Sequence, residues 1–168
     1  MGVRTYPNTP RVYLDMDGPL ANFDKAALEH NMDPSHFKRV AGAYLGLEPT
    51  PGAKEALVAM LAAGLQVFAL TKTPKSNPYA ATEKLLWIRE HFPYLDDKVI
   101  ISSDKGAVGT ARDFLVDDHP EWANADKFPG KIVHFKFNWT ESLAEILGEL
   151  ALRHKKPSVH HTEGERIG

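Results

Sequence analysis

Residues 11–23 read Arg-Val-Tyr-Leu-Asp-Met-Asp-Gly-Pro-Leu-Ala-Asn-Phe. The apolar run Val12-Tyr-Leu14 has β-branched and aromatic character, which predicts a short buried strand over residues 11–15. The strand ends at Asp15 and Asp17, two carboxylates one residue apart, and a glycine follows. Ligands bind at the carboxyl ends of strands in open α/β sheets, so this stretch predicts a metal or phosphate site. An ordinary strand-to-turn exit is the alternative, because Asp and Gly are also turn residues.

The composition is typical of a globular protein of one domain. Of the 168 residues, 43% are hydrophobic and 25% are charged, and the formal net charge is −2. Acidic and basic residues are mixed along the chain, so we expect no duplex nucleic acid as a partner. The sequence has no cysteine, which excludes disulfides and thiolate metal sites. No apolar run reaches membrane-spanning length and residues 1–10 do not resemble a signal peptide, so we expect a cytoplasmic protein without membrane contact.

Short apolar strands alternate with helices along the rest of the chain. The further strands are predicted over residues 65–70, 98–102, 113–116 and 131–135, and three of the helices are predicted to have Thr50, Asn77 and Thr140 as N-caps. This alternation predicts a doubly wound (Rossmann-like) α/β fold, with a parallel sheet of about five strands and helices on both faces. One domain is predicted over residues 11–153, between a lead-in over residues 1–10 and a disordered tail over residues 154–168.

An insertion follows the first strand. Residues 19–48 have helical tendency and are broken at Asp33-Pro34, where Asp is an N-cap and Pro the first helical residue. We expect two short helices that form a small cap over the strand end. The insertion has no tryptophan, and its later aromatic residues include Phe37 and Tyr44.

Polar side chains follow four of the predicted strands: Asp15 and Asp17, then Thr71 and Lys72, then Lys105, then Asp117 and Asp118. The carboxyl ends of parallel strands meet at one edge of a sheet, so we expect these side chains to converge. Several carboxylates without His or Cys are the ligands that Mg²⁺ prefers, and Mg²⁺ often shares a substrate phosphate. A hydroxyl and lysines would bind the remaining phosphate oxygens. One Asp can then attack phosphorus while a second moves the proton.

The chain resembles the haloacid dehalogenase-like phosphatases in the order and the position of these strand-end groups. Finer matches resemble the 5′(3′)-deoxyribonucleotidase branch of those enzymes. They are Asp15-Met-Asp-Gly-x-Leu-Ala-x-Phe23, Thr50-Pro-Gly-Ala-x-Glu-Ala-Leu57, Glu83-Lys-x-x-Trp87, Asp104-Lys105 and Asp113-Phe-Leu-Val-Asp-Asp118. The resemblance covers about residues 11–136.

The resemblance implies a Mg²⁺-dependent phosphomonoester hydrolase that acts through an aspartyl-phosphate. Asp15 would be the nucleophile and a metal ligand. Asp17 would be the acid–base catalyst and would bind the metal through its backbone carbonyl. Asp118 would be the direct metal ligand of the final pair, with Asp117 beside it.

The resemblance also implies a small phosphorylated substrate, a nucleoside monophosphate. Its phosphate would be bound by Thr71, by the backbone of Lys72 and by Lys105. The aromatic residues Phe23, Phe37 and Tyr44 would line the substrate pocket.

Several alternatives stay open at this point. Within the enzyme class they are a polynucleotide 3′-phosphatase and a small sugar phosphatase. Outside it they are a response-regulator receiver domain and a non-catalytic phosphate-binding module. The three tryptophans, Trp87, Trp122 and Trp139, are predicted to be packing residues. For Lys84 the pattern leaves two positions open, one in solvent and one inside the site.

Overall fold

A five-stranded parallel sheet forms the centre of the structure, a computed structural model that describes residues 9–155. Its strands are β1 (Arg11–Leu14), β2 (Gln66–Thr71), β3 (Val99–Ile101), β4 (Phe114–Asp117) and β5 (Lys131–His134). The strand order is β3-β2-β1-β4-β5, and every neighbouring pair is parallel. The α/β fold predicted from the sequence is therefore confirmed. Residues 1–8 of the predicted lead-in and 156–168 of the predicted tail lie outside the described range.

The helices are α1 (Phe23–Glu29), α2 (Pro34–Phe37), α3 (Ala53–Ala62), α4 (Ala80–His91) and α5 (Trp139–Lys155), with 3₁₀ helices at Pro93–Leu95, Lys105–Ala107 and Ala125–Lys127. The chain moves outward from β1 through β2 to β3, then returns to β4 and β5 on the other side of β1. Right-handed crossovers therefore place α3 and α4 on one face, and the two later 3₁₀ helices on the other. Within residues 9–155, none of the helices combines the length and the apolarity that crossing a membrane requires.

Alternating side chains of β1 enter two separate apolar clusters. Val12 and Leu14 lie in the larger cluster, which contains the buried faces of α3, α4 and α5. Tyr13 points to the opposite face, where Phe128 packs against it with ring centroids 5.8 Å apart. Because β1 is covered on both sides, its carboxyl end is held firmly at the point where the chain reverses its direction across the sheet.

The cap segment, residues 19–48, contains α1 and α2 and is anchored where it leaves and rejoins the core. The backbone N–H of Asn22 donates to the carbonyl of Glu48, and the N–H of Thr50 donates to that of Leu20, both at 2.8 Å. The side chain of Asp33 accepts from the N–H of Ser35, as the sequence predicts for an N-cap. The division into a domain over residues 11–153 with this cap stays a prediction.

The structure corrects three predicted helix caps. Gly52 is the N-cap of α3, and Tyr79 that of α4. The last helix begins at Trp139, one residue before the predicted cap Thr140, and the side chain of Asn138 accepts from its first turn. The hydroxyl of Thr50 donates to the distant carbonyl of Gly18 instead. The side chain of Asn77 accepts from the N–H of Tyr79 at 3.0 Å, just before α4, and also donates to the distant carbonyls of Lys38 and Val40.

The buried face of α4 also differs from the predicted apolar stripe. The sequence predicts a stripe of Ala81, Leu85, Ile88 and Phe92, whereas the buried residues of the helix are Ala80, Glu83, Lys84, Trp87 and Ile88. Leu85 is partly exposed. A carboxylate and an ammonium group thus occupy core-facing positions of this helix, and such burial requires partners for both charges.

Candidate active site

Four carboxylates meet at the carboxyl ends of the two central strands. Asp15 and Asp17 follow β1, while Asp117 ends β4 and Asp118 follows it. Leu14 pairs with Val116, and the N–H of Asp15 donates to the carbonyl of Val116 at 2.9 Å, so the two strand ends are level. Oxygen atoms of Asp15, Asp117 and Asp118 lie within 4.8 Å of one another.

Gly18 allows this close approach. Its φ angle of +104° lies in a region that residues with a side chain rarely adopt, and a Cβ atom on Gly18 would lie 2.5 Å from a carboxylate oxygen of Asp118. Glycine is therefore the residue that lets the loop after β1 lie against the end of β4.

Lys105 joins the nucleophile candidate to the acidic pair. Its Nζ donates to Asp15 Oδ1 at 2.8 Å and to Asp117 Oδ2 at 2.7 Å, with all three side chains buried. Burial lowers the pKa of Lys105, but the charges of Asp15 and Asp117 outweigh it, so its pKa lies above the ordinary value. Lys105 is therefore a fixed cation that orients Asp15.

Lys84 supplies a second buried cation at the same strand ends. Its Nζ donates to Thr71 Oγ1 and to the Lys72 carbonyl, both at 2.8 Å, and to Asp17 Oδ2 at 3.2 Å. The predicted phosphate-binding groups Thr71 and Lys72 are thus held together with Asp17 by one ammonium group. We call seven residues at these strand ends the charged floor: Asp15, Asp17, Thr71, Lys84, Lys105, Asp117 and Asp118.

The charged floor carries an excess of negative charge, because four carboxylates face two ammonium groups. Burial raises the pKa of Asp15 well above its usual range, Lys105 opposes this, and Asp117 adds to it. Burial also raises the pKa of Asp118 to about 7, with a further contribution from the charge of Asp117. Asp17 Oδ1 is buried and has no hydrogen-bond partner within the described chain. An all-oxygen cluster with excess negative charge fits a hard divalent cation.

A cleft of about 390 Å³ opens above the charged floor. It lies within the size range of small-molecule sites. One side is formed by the cap segment, which contributes among others Phe23, Asp24 and Tyr44. The other is formed by loops that follow β2, β4 and β5, including His119, Trp122 and Phe137.

Comparison with known protein families identifies the family of the chain. The sequence model of the family described as "5′ nucleotidase, deoxy (pyrimidine), cytosolic type C protein" matches residues 29–145. The match covers more than two thirds of the chain. The chain belongs to this family. No curated protein matches it closely enough to count as a relative.

Membership makes the chain a 5′-nucleotidase, a phosphoric monoester hydrolase of the haloacid dehalogenase-like type. The predicted resemblance to the deoxyribonucleotidase branch is confirmed. An enzyme is thereby favoured over the receiver domain and over the non-catalytic module. The matched range begins after Asp15 and Asp17, so the assignment of these two residues depends on the geometry of the floor.

The predicted pocket aromatics of the nucleotidase are largely buried against one another. The rings of Phe23 and Tyr44 stack with centroids 5.3 Å apart, and both line the cleft. We call this pair the cap wall. Phe37 packs behind Phe23, also at 5.3 Å, and stacks on His30, so the structure does not bring it to the cleft.

Two of the three tryptophans are packing residues, as predicted, and one is not. Trp87 and Trp139 are buried, and their indole N–H groups donate to the carbonyls of Leu47 and Pro19. Trp122 is 61% exposed and lines the cleft, so its prediction as a packing residue is wrong.

Sequence reasoning left Lys84 undecided and passed over Glu83. Glu83 is buried and accepts hydrogen bonds from the backbone N–H groups of Gly42 and Tyr44, at 2.5 and 3.4 Å. A signal for both was present, because positions 83, 84 and 87 share one helical face with the buried Ala80. The charges obscured it, since an amphipathic pattern assigns charged residues to the solvent side.

Proposed function

We propose that the chain is a Mg²⁺-dependent phosphatase of nucleoside monophosphates, with deoxypyrimidine nucleotides as substrates, that acts in the cytoplasm through an aspartyl-phosphate on Asp15. The observation that carries the proposal is the contact of Asp15 Oδ1 with Lys105 Nζ at 2.8 Å, inside an acidic cluster with excess negative charge. The family description, which includes the words deoxy, pyrimidine and cytosolic, supports the substrate and the location.

Asp15, Asp118 and the backbone carbonyl of Asp17 would hold the cation. Asp117 supports them, because both of its oxygens already accept hydrogen bonds, from Lys105 and from the N–H of His119. A bound Mg²⁺ would supply positive charge that reduces the repulsion between a carboxylate nucleophile and an anionic phosphate.

In this proposal Asp15 forms the bond to phosphorus and Asp17 transfers the protons. In the first step an oxygen of Asp15 bonds to phosphorus as the ester bond breaks, and Asp17 gives its proton to the departing nucleoside oxygen. In the second step water attacks the phosphorus of the aspartyl-phosphate, Asp17 takes the water's proton, and phosphate leaves Asp15 as a free carboxylate. The unpartnered Oδ1 of Asp17 supports this role, because its other oxygen is held by Lys84.

The remaining floor residues orient the phosphate. Lys105 offers a cation that contacts Asp15, and Thr71 offers a hydroxyl that Lys84 links to Asp17. The side chain of Lys72 lines the cleft and its backbone carbonyl is tied to Lys84. Phe23 and Tyr44 would cover the sugar of the leaving group and exclude water from it.

Phosphate release from a substrate panel tests the proposal. We expect hydrolysis of dUMP and dTMP with Mg²⁺, loss of activity of about a thousandfold in EDTA, and its return when Mg²⁺ is added in excess. An acid-quenched reaction should carry a phosphoryl group on the peptide that contains Asp15, detected by mass spectrometry. Full activity in EDTA, or faster hydrolysis of sugar phosphates than of any nucleotide, would contradict the proposal.

A further inference from the structure

The loop that follows β4 places exposed aromatic rings at the cleft. Trp122 is 61% exposed and its indole stacks on the imidazole of His119, with centroids 3.8 Å apart and ring planes 13° apart. We call this pair the aromatic platform. Phe137, from the loop after β5, is 52% exposed and lines the same cleft. These rings contrast with the cap wall, whose faces are already covered by one another.

Hydrogen bonds fix the platform relative to the charged floor. The N–H of His119 donates to Asp117 Oδ1 at 2.9 Å, and the N–H of Trp122 donates to the carbonyl of His119 at 3.0 Å. On its other side, the carbonyl of Ala123 accepts from the N–H of Lys105 at 2.8 Å. The exposed indole is therefore joined through its backbone to Asp117 and to Lys105, and Lys105 contacts Asp15.

The backbone around the platform adopts conformations that local preference disfavours. Ala123, Asn124 and Phe137 have φ angles of +52°, +54° and +56°. Such angles are uncommon for residues other than glycine, above all for a bulky one, and persist only where the surrounding structure enforces them. The fold thus holds large aromatic side chains at the mouth of the cleft, although burial would be their usual position.

We propose that Trp122, supported by His119, is the stacking surface for the nucleobase of the substrate, and that Phe137 borders the same subsite. This inference rests on the proposed function, because it places the substrate's phosphate at Asp15. A flat heterocycle matches an exposed indole in shape and gains stacking energy, whereas a sugar phosphate without a base gains none. The cap segment contains no tryptophan to take this role.

A stacking surface also determines how strongly the enzyme should discriminate among nucleobases. Every nucleobase has a π face, so a platform without base-edge hydrogen bonds accepts different bases with similar affinity. We therefore expect small differences among nucleoside monophosphates and a large preference for them over 2-deoxyribose 5-phosphate, which lacks only the base.

Kinetics on that matched pair of substrates test the platform. We expect Trp122→Ala to lower kcat/KM for dUMP by about tenfold or more and to leave kcat/KM for 2-deoxyribose 5-phosphate within twofold. Trp122→Phe should restore most of the loss, because a smaller ring still stacks. The control is Tyr94→Ala, which removes a half-exposed ring outside the cleft and should change neither value.

Fluorescence gives a readout that does not depend on turnover. Trp87 and Trp139 are buried, so acrylamide should quench mainly Trp122. In the Asp15→Asn variant, dUMP should protect this fluorescence from acrylamide, 2-deoxyribose 5-phosphate should not, and Trp122→Phe should abolish the effect.

The outcomes separate this inference from the proposed function. Equal losses on both substrates, or nucleotide hydrolysis that Trp122→Ala leaves unchanged, would overturn the platform and leave the nucleotidase chemistry intact. A wild-type protein that hydrolyses 2-deoxyribose 5-phosphate as well as dUMP would overturn the platform as well. Failure of the wild type to hydrolyse any nucleoside monophosphate would overturn both.

Discussion

The charged floor and the cap wall border the same cleft, and different forces hold their side chains. In the floor, Lys105 donates to Asp15 and Asp117 at 2.8 and 2.7 Å, so each position depends on an opposite charge. In the cap wall, Phe23 and Tyr44 stack with centroids 5.3 Å apart, so their positions depend mainly on shape and burial, and Lys84 of the floor lies over the Tyr44 ring at 4.7 Å from its centroid. In our proposal the floor would contact the phosphate, and the cap wall would contact the sugar beside it.

Substitutions in the two regions should therefore have different effects. Removal of one floor charge leaves its partners buried and unpaired, which disturbs the reacting groups directly. Removal of part of a packed ring leaves a cavity, which lowers stability but keeps the reacting groups in place. We therefore expect floor variants to lose turnover of every substrate, and cap-wall variants to lose stability first.

The largest effect should follow from Asp15→Asn. The substitution removes the attacking oxygen while keeping the shape of the side chain, so kcat/KM should fall by about a thousandfold or more. The loss should be the same for dUMP and for 2-deoxyribose 5-phosphate, and circular dichroism should report an intact fold.

The matched control is Asp24→Asn, which removes an exposed carboxylate that lines the same cleft. We expect less than a tenfold change in kcat/KM for this variant. Activity of Asp15→Asn within about tenfold of wild type would mean that Asp15 is not a covalent nucleophile.

The convergence of the floor could be predicted from the sequence because it follows from strand order. Apolar strands predict a parallel sheet, and parallel strands carry their end residues to one edge. Asp15, Lys105 and Asp117 therefore meet although Asp15 and Lys105 are 90 positions apart in the sequence. Local pattern was sufficient for these residues, since Asp15 follows β1, Asp117 ends β4 and Lys105 lies in the loop after β3.

The remaining polar contacts could not be predicted because local and long-range partners compete for the same side chains. Thr50 is a good N-cap residue, but its hydroxyl donates to the carbonyl of Gly18. The side chain of Asn77 has both kinds of partner, because it accepts from the N–H of Tyr79 and donates to the carbonyls of Lys38 and Val40. Only the folded chain shows which partner is chosen. The aromatic platform was missed for a related reason, because tryptophan favours burial and nothing in the local pattern marks Trp122 as exposed.

The next effect in size concerns the second floor cation. Lys84→Met keeps the length of a buried apolar stem but leaves Asp17 and Thr71 without their shared donor. We expect a loss of about a hundredfold in kcat/KM on both substrates, because Asp17 and Thr71, which we propose as the acid–base group and a phosphate ligand, are no longer held in place. The ratio of the two kcat/KM values should stay unchanged.

Arg89→Met is the control for Lys84, since it removes a cation from the solvent side of the same helix. Its activity should match that of wild type. If Lys84→Met lowered kcat/KM for dUMP and left that for 2-deoxyribose 5-phosphate unchanged, Lys84 would act on the base and not on the phosphate that both substrates share.

A smaller effect is expected where α4 holds the cap. Glu83 accepts from the N–H groups of Gly42 and Tyr44, and the amide of Glu83→Gln has only one oxygen to replace two. A buried donor left unsatisfied costs about 1–3 kcal/mol, which lowers Tm by roughly 3–10 °C for a chain of this size. Turnover below Tm should fall less than tenfold and equally on both substrates.

Glu90→Gln controls for the change of charge, because Glu90 lies on the exposed side of α4. Its Tm should equal that of wild type within about a degree. An unchanged Tm for Glu83→Gln would show that the cap does not depend on this anchor.

The smallest effect should follow from Phe23→Leu, which tests whether the cap wall selects substrates. The sequence alone places Phe23 against the base or sugar of a nucleotide, whereas in the structure its ring is mostly covered by Phe37 and Tyr44. Leucine keeps the site apolar and loses part of the stacked contact, so we expect unfolding to become easier by about 1 kcal/mol and Tm to fall by about 2–4 °C.

In our proposal the Phe23 ring contacts the sugar of the substrate at the cleft, and both test substrates contain that sugar. Their kcat/KM values should therefore fall together, by about twofold to threefold, with their ratio preserved. A tenfold fall for dUMP alone would place the base against Phe23, and the cap wall would then take the selective role that we assign to Trp122.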